Sequence, residues 1–121
     1  MALVLIVDDS PTELHVMQKA LEKSGFKTAT ASDGAEGIRL AREIRPDLIF
    51  MDIVMPGING YQATRTLAND PQTRSIPVIM VTSKGQETDK IWGLRQGAVD
   101  YMVKPVSPNQ LVAKAQATLA V

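Results

Sequence analysis

The chain has 121 residues, of which 45% are hydrophobic and 21% are charged, a size and composition that fit one globular domain and exclude a disordered or fibrous chain. Lysines and arginines number 13, as do aspartates and glutamates, so no overall charge attracts nucleic acid, and the absence of cysteine excludes disulfides and thiolate sites. The apolar run at the N-terminus stops at Asp8, too early for a signal peptide or a membrane span. We expect one cytoplasmic domain over residues 1–121, with no output domain and with neither nucleic acid nor membrane as a partner.

Apolar runs alternate with amphipathic stretches along the whole chain, which predicts five consecutive strand-helix units. The predicted strands are Leu3–Val7, Lys27–Ala31, Leu48–Met51, Val78–Val81 and Tyr101–Val103. The predicted helices are Pro11–Ser24, Gly34–Ile44, Gly60–Ala68, Glu87–Gln96 and Pro108–Leu119. The first and fourth strands are apolar throughout, as strands covered on both faces must be, whereas the second is more polar and suits an edge. We expect an α/β fold with a flavodoxin-like, doubly wound parallel sheet in the strand order 2-1-3-4-5.

The ends of the predicted helices carry recognisable signals. Ser10, Pro11 and Glu13 stand in the order of cap, first-turn proline and reciprocal carboxylate that a capping box uses. The same pairing of cap and third residue recurs at Asp33 with Glu36, Asn59 with Gln62 and Ser107 with Gln110. Gly25 and Gly97 fall where a helix ends in the left-handed region. These signals support the predicted boundaries.

Polar residues follow four of the five predicted strands. Asp8 and Asp9 end the first strand, Asp52 the third, Thr82 the fourth and Lys104 the fifth. In an open parallel sheet the carboxyl ends of neighbouring strands meet near the point where the strand order reverses. We therefore expect these five side chains to form one site.

The predicted site has a specific chemistry. Three neighbouring carboxylates repel one another unless a cation offsets their charge, and a hard dication such as Mg²⁺ prefers such oxygen ligands. One carboxylate can then act as a nucleophile toward phosphorus and form an aspartyl phosphate. The Lys104 ammonium would neutralise the phosphoryl oxygens, and the Thr82 hydroxyl would donate a hydrogen bond to them.

With these motifs the chain resembles the CheY-like family of response-regulator receivers over essentially its whole length. The matching segments are Val7-Asp8-Asp9-Ser10, the run 51–57 around Asp52, Val81-Thr82-Ser83 and Val103-Lys104-Pro105. The resemblance implies that Asp52 is phosphorylated and that Asp52, Thr82 and Lys104 form the catalytic set. It also implies that Mg²⁺ is held by Asp9 and Asp52 directly, by Asp8 through water and by the backbone carbonyl of Val54.

The family resemblance assigns further roles outside the acid cluster. Tyr101 would be an aromatic switch residue coupled to Thr82, although a half-buried packing role fits its sequence position equally well, and the Lys104-Pro105 peptide would be cis. Val54 and Lys84 would tune dephosphorylation, because they stand two residues beyond Asp52 and Thr82. Trp92 would contact a partner or pack within the domain, two alternatives that the sequence leaves open.

A narrower resemblance, to the PilG and PilH type of twitching-motility regulator, lies in residues 86–98 and 59–65. It implies a chemotaxis-like two-component pathway with a CheA-like histidine kinase. The chain would then be a monomer that docks to a separate protein target or drains phosphate from the kinase. We expect a signalling phosphoacceptor that assists only its own phosphorylation and autodephosphorylation, and not an enzyme acting on other substrates.

Two other classes of function use similar sheets. An aspartate-nucleophile phosphatase usually carries a second Asp two residues after its nucleophile as general acid, but Ser10 follows Asp8 at that spacing and Val54 follows Asp52. A nucleotide or flavin module needs a glycine-rich loop after the first strand, where this chain has Asp8-Asp9-Ser10-Pro11. Both alternatives are therefore disfavoured.

Overall fold

The structure, a computed structural model, describes residues 2–83 and 87–120, and it shows five parallel strands with five helices. The strands are β1 (Leu3–Val7), β2 (Lys27–Ala31), β3 (Leu48–Met51), β4 (Val78–Thr82) and β5 (Asp100–Val103). The helices are α1 (Pro11–Lys23), α2 (Gly34–Ile44), α3 (Gly60–Asn69), α4 (Glu87–Arg95) and α5 (Pro108–Leu119). The strand order is β2-β1-β3-β4-β5, which confirms the predicted fold, with five element ends displaced by one residue.

Side chains that alternate along the central strands form the core on both faces of the sheet. Leu5, Ile49 and Met80 belong to the cluster shared with α2 and α3. Ile6 and Phe50 belong to the cluster shared with α1 and α5. All of these side chains are fully buried, so the central strands are apolar throughout because helices cover both of their sides. The sheet thus provides a rigid platform for the groups at its carboxyl edge.

All four predicted caps accept from the backbone N–H three residues further on, but among the described helices only α3 shows both bonds of a capping box. Asn59 and Gln62 make both bonds of a capping box at the start of α3. At the start of α1 the Ser10 hydroxyl accepts from the Glu13 backbone N–H at 3.3 Å, but the Ser10 N–H donates to Asp8 Oδ1 at 2.9 Å. The Glu13 carboxylate pairs with Lys104. The Glu13 carboxylate therefore does not accept from the Ser10 N–H, as a capping box would require, because this N–H already donates to Asp8.

The glycines that end α1 and precede β5 adopt the predicted left-handed conformation. Gly25 has φ 94° and Gly97 has φ 113°, a region that glycine enters without steric cost. No helix within residues 2–83 and 87–120 has both the length and the apolar character that crossing a membrane requires.

Candidate functional site

The three carboxylates predicted to converge do so at the carboxyl edge of the sheet. Asp8 and Asp52 follow the neighbouring strands β1 and β3, and the Asp52 N–H donates to the Val7 carbonyl at 2.9 Å. Asp8 is 1% exposed and Asp52 is 6% exposed, whereas Asp9 faces solvent. One carboxylate oxygen from each of the three lies within 4.8 Å of the others. The fold thus places two buried acids and one exposed acid around one point.

Lys104 brings a positive charge to this point from β5. Its Nζ lies 2.8 Å from Asp8 Oδ2 and 3.5 Å from Asp52 Oδ1, and it also contacts Glu13 Oε2. The Lys104-Pro105 peptide is cis, as the family resemblance implied, and the Lys104 N–H donates to the Thr82 carbonyl at 2.8 Å. Burial alone would lower the pKa of Lys104, but the hydrogen bonds to Asp8 and Glu13 and the charge of Asp52 raise it above its ordinary value. The ammonium therefore stays charged across the physiological range.

Burial and the neighbouring Asp8 both disfavour the ionised form of Asp52. Burial, followed by repulsion from Asp8, raises the pKa of Asp52 from 3.8 to about 6. The opposing effects of Lys104 and of the Ile53 N–H, which donates to Asp52 Oδ1 at 2.9 Å, do not cancel this increase. A further cation beside Asp52 would favour its ionised form and relieve the repulsion.

The donor set of the cluster suits a hard divalent cation. Carboxylate oxygens that lie this close together, with one acid open to solvent, match the oxygen-rich and partly hydrated coordination that Mg²⁺ requires. Soft metals that favour thiolates find no ligands, because the chain has no cysteine. The residues therefore fit the predicted metal.

The remaining predicted residues differ in how deeply they are buried. Thr82 is fully buried at the end of β4, next to β3 in the sheet, and the Val54 side chain is 57% exposed in the loop after β3. Tyr101 on β5 is partly buried against the core, and burial raises its pKa to about 12, with smaller effects from Tyr61 and Asp89. The predicted lifetime residue Lys84 lies outside the described residues.

Sequence reasoning missed two residues at this edge. A Cβ at Gly60 would lie 2.0 Å from the Asp52 carbonyl oxygen, so the start of α3 approaches the backbone of Asp52 as closely as only glycine permits. Glu13 was interpreted as a partner for the Ser10 backbone, yet its carboxylate contacts Lys104. A signal for Glu13 was available, since a first-turn carboxylate of the helix that follows Asp9 must lie near the same edge.

A second exposed region lies on α4 and β5. We use the name α4–β5 face for five exposed apolar residues of α4, of β5 and of the segment that joins them: Ile91, Trp92, Leu94, Val99 and Val103. The sequence had singled out Trp92, which is 50% exposed. Packing within the domain therefore leaves Trp92 half exposed.

Comparisons with known proteins agree with this geometry. The profile of the response regulator receiver domain family matches residues 4–116. The chain is 55% identical to Protein PilH of Pseudomonas aeruginosa over 99% of each chain. It is 39% identical to the DNA-binding response regulator MtrA of Mycolicibacterium smegmatis, of which it spans about half the length (50%). The structure is similar to that of the chemotaxis response regulator CheY4 of Vibrio cholerae, with a TM-score of 0.93, 32% identity and coverage of 98% and 99% of the two chains.

Proposed function

The chain belongs to the response regulator receiver domain family, and from that premise we propose that it accepts a phosphoryl group on Asp52 from a phosphohistidine of a histidine kinase. The observation that carries the proposal is the convergence of Asp8, Asp9, Asp52 and Lys104 at one edge of the sheet. Buried like charges lower the stability of a protein, so groups of them are found mainly at functional sites.

The chemistry of the proposed step is a transfer from nitrogen to oxygen. An Asp52 carboxylate oxygen forms a bond to phosphorus while the phosphorus-nitrogen bond breaks, and the imidazole leaves with the electron pair and takes up a proton. Lys104 would neutralise the equatorial phosphoryl oxygens, and Thr82 would donate a hydrogen bond to them. Mg²⁺, held by Asp9, Asp52 and the Val54 carbonyl and through water by Asp8, would supply further positive charge.

The comparisons support a place for this chemistry in signalling. Because the chain matches PilH over the full length of both proteins, we propose that it serves a chemotaxis-like pathway acting on type IV pilus twitching motility, with a CheA-like kinase. It would act by docking to a separate protein or by draining phosphate from the kinase, and it would not turn over a separate substrate. Ser10 and Val54, at the positions where a phosphatase carries its general acid, support this non-enzymatic role.

The phosphorylation proposal is tested with a small phosphodonor such as phosphoramidate. Intact-mass measurements should show one added phosphoryl group in excess Mg²⁺ and none when a chelator is present. Asp52→Asn should abolish the addition. The control is Asp47→Asn, which removes an aspartate at the opposite edge of the sheet, where its carboxylate accepts from the Leu3 N–H at 2.8 Å. Phosphorylation that survives in Asp52→Asn, or that proceeds equally in chelator, would overturn the proposal.

The proposed split of metal ligands has its own test. Asp9→Asn should weaken Mg²⁺ binding more than Asp8→Asn, because a direct ligand contributes more than one acting through water. The position of Asp8 supports this order, since its two oxygens already accept from Ser10 and Lys104. Calorimetric titration of the two variants measures the difference, and equal affinities would contradict the split.

The lifetime of the phosphorylated state should depend on Val54. An apolar side chain at this position cannot orient a water for attack on phosphorus, so we propose slower autodephosphorylation than in receivers with an amide there. Val54→Asn should accelerate phosphate loss in excess Mg²⁺, and a further increase is expected with Lys84→Glu. Unchanged or slower decay in the double variant would mean that other groups control the access of water.

A further inference from the structure

Glu13 occupies an unusual position for a first-turn helix carboxylate. Its expected partner, the Ser10 N–H, is already bonded to Asp8 Oδ1 at 2.9 Å, and the Glu13 carboxylate instead contacts the Lys104 ammonium. Asp8 therefore joins both ends of this arrangement, because its Oδ2 accepts from Lys104 at 2.8 Å. The three residues form a continuous chain of contacts that leads to Asp52.

We propose that Glu13 is a positioning residue, which holds the Lys104 ammonium in the unphosphorylated protein and competes for it with the phosphoryl group on Asp52. This inference rests on the proposed phosphorylation of Asp52. It assigns to the first turn of α1 a role in setting how readily the site accepts and keeps a phosphoryl group.

The distances indicate which contact of Lys104 is incomplete. An ammonium group has three N–H donors, and here it contacts carboxylates of Asp8, Glu13 and Asp52. The contact to Asp52 Oδ1, at 3.5 Å, is longer than a charge-assisted hydrogen bond, which is typically about 2.7–2.9 Å. Asp8 and Glu13 thus hold the ammonium more closely than Asp52 does, and a phosphoryl group on Asp52 would compete with them for its N–H donors.

The burial of Asp8 and Glu13 indicates which of these two carboxylates Lys104 can release more readily. The side chain of Asp8 is 1% exposed, so a broken contact would leave a buried charge without compensation. The side chain of Glu13 is 42% exposed, although its Oε2 atom is buried, so rotation of this carboxylate to water costs less than uncovering Asp8. Glu13, rather than Asp8, is thus the partner that Lys104 can leave.

The surroundings of the Glu13–Lys104 ion pair should strengthen it. A mainly apolar cavity of about 160 Å³ adjoins Glu13 and Lys104 and is lined by Val16, Met17 and Val81 among others. Apolar walls offer no hydrogen bonds on this side of the pair, and attraction between charges is stronger where fewer polar groups and waters surround them. The pair should therefore hold Lys104 more firmly than a fully exposed ion pair would.

The inference predicts that neutralising Glu13 makes the site a better phosphoryl acceptor. Glu13→Gln should bind beryllofluoride, a phosphoryl analogue, about 2- to 5-fold more tightly than wild type in excess Mg²⁺, as expected from loss of one partly exposed ion pair. Glu13→Asp keeps the charge on a shorter side chain and should fall between the two. Glu22→Gln is the matched control, because it makes the same charge change on α1 about 13 Å further along the helix.

The experiment is a calorimetric titration of these variants, repeated with Lys104→Met alone and with the Glu13→Gln, Lys104→Met double variant. The gain from Glu13→Gln should disappear when Lys104 is absent, an outcome that a general change in charge or in helix stability would not produce. Equal or weaker binding by Glu13→Gln, or a gain that persists without Lys104, would overturn the inference and leave phosphorylation of Asp52 standing. Wild type that does not bind beryllofluoride would overturn both.

Discussion

The carboxyl edge of the sheet and the α4–β5 face depart from the usual burial of side chains in opposite directions. At the carboxyl edge charged groups are buried, with Asp8 at 1% and Asp52 at 6% exposed. On the α4–β5 face apolar groups are exposed, with Trp92 at 50% and Val99 at 55%. Each arrangement lowers stability relative to the ordinary one, and functional sites are where proteins accept such costs. The comparison teaches that the chain gathers its buried charges and its exposed apolar groups in different regions, which is the arrangement expected if phosphorylation and partner contact are separate.

Tyrosines lie between the two regions. Tyr101 on β5 packs with Tyr61 against the core cluster on the α2–α3 side of the sheet, and the Tyr61 hydroxyl donates to the Asp89 carbonyl of α4 at 3.2 Å. A Cβ at Gly93 would lie within 3.7 Å of both rings, so α4 packs closely over them at this point. Because Thr82 ends β4, the strand next to β5, a change at the site has a short path to α4.

The largest expected effect is a loss of stability at the carboxyl edge of the sheet. Gly60→Ala would place a Cβ 2.0 Å from the Asp52 carbonyl oxygen, so α3 or the loop after β3 must move. We expect the free energy of unfolding to fall by about 2–4 kcal/mol and phosphorylation to slow. Gly57→Ala is the control, since no atom lies within 4 Å of its added Cβ and only its φ of 77° opposes the change. Urea unfolding measures both variants, and equal losses would contradict the account of Gly60.

The second expected effect, also at the carboxyl edge, is a dependence of the free energy of unfolding on pH through Asp52. Because the pKa of Asp52 is raised to about 6 in the native state, the native protein binds more protons than the unfolded chain between pH 4 and 6, and its stability falls as pH rises through that window. Asp52→Asn removes this loss. It should raise the free energy of unfolding of the metal-free protein by on the order of 1–3 kcal/mol above pH 6, and by little below pH 4.

Urea titrations at pH 4 and pH 7.5 measure this difference, and added Mg²⁺ should reduce it by stabilising the ionised wild type. A constant difference at both pH values would show that the raised pKa of Asp52 is not its cause.

Most of the fold was readable from the sequence because the local signals agree with the tertiary structure. Apolar runs predicted the central strands, and caps such as Asn59 and Ser107 predicted where helices begin. The rule that polar residues gather at strand ends placed Asp52 and Lys104 together, and the structure brings them within 3.5 Å. These features depend on spacing along the chain.

The features that sequence reasoning missed depend on contacts between distant segments. The sequence around Gly60 indicates that a helix starts there. It does not indicate that the lack of a side chain at Gly60 lets α3 approach Asp52. The partner of Glu13 changed because Asp8 had already bonded the Ser10 N–H, a competition that no spacing reveals. The exposure of Ile91 was not predictable for a different reason, since the apolar residues of α4 do not form one stripe that would separate a buried side from an exposed one.

The smallest expected effect is on stability at the α4–β5 face. Ile91→Ser should change the free energy of unfolding by less than about 0.5 kcal/mol, because a residue that is 45% exposed contributes little to the core. Leu67→Ala, at a residue of α3 that is 2% exposed, should cost about 2–5 kcal/mol. Thermal unfolding compares the two, and a large loss in Ile91→Ser would show that the α4–β5 face is part of the core.

The connection between the two regions is tested most directly by the indole N–H signal of Trp92, followed by nuclear magnetic resonance as beryllofluoride and Mg²⁺ are added. A phosphoryl analogue shifts the conformational equilibrium only if it binds one state better, and the Thr82 hydroxyl is the group proposed to sense it. The signal should move in wild type, remain unchanged in Asp52→Asn, and move much less in Thr82→Ala at saturating analogue. A full shift in saturated Thr82→Ala, or a Trp92 signal that does not respond in wild type, would contradict the account.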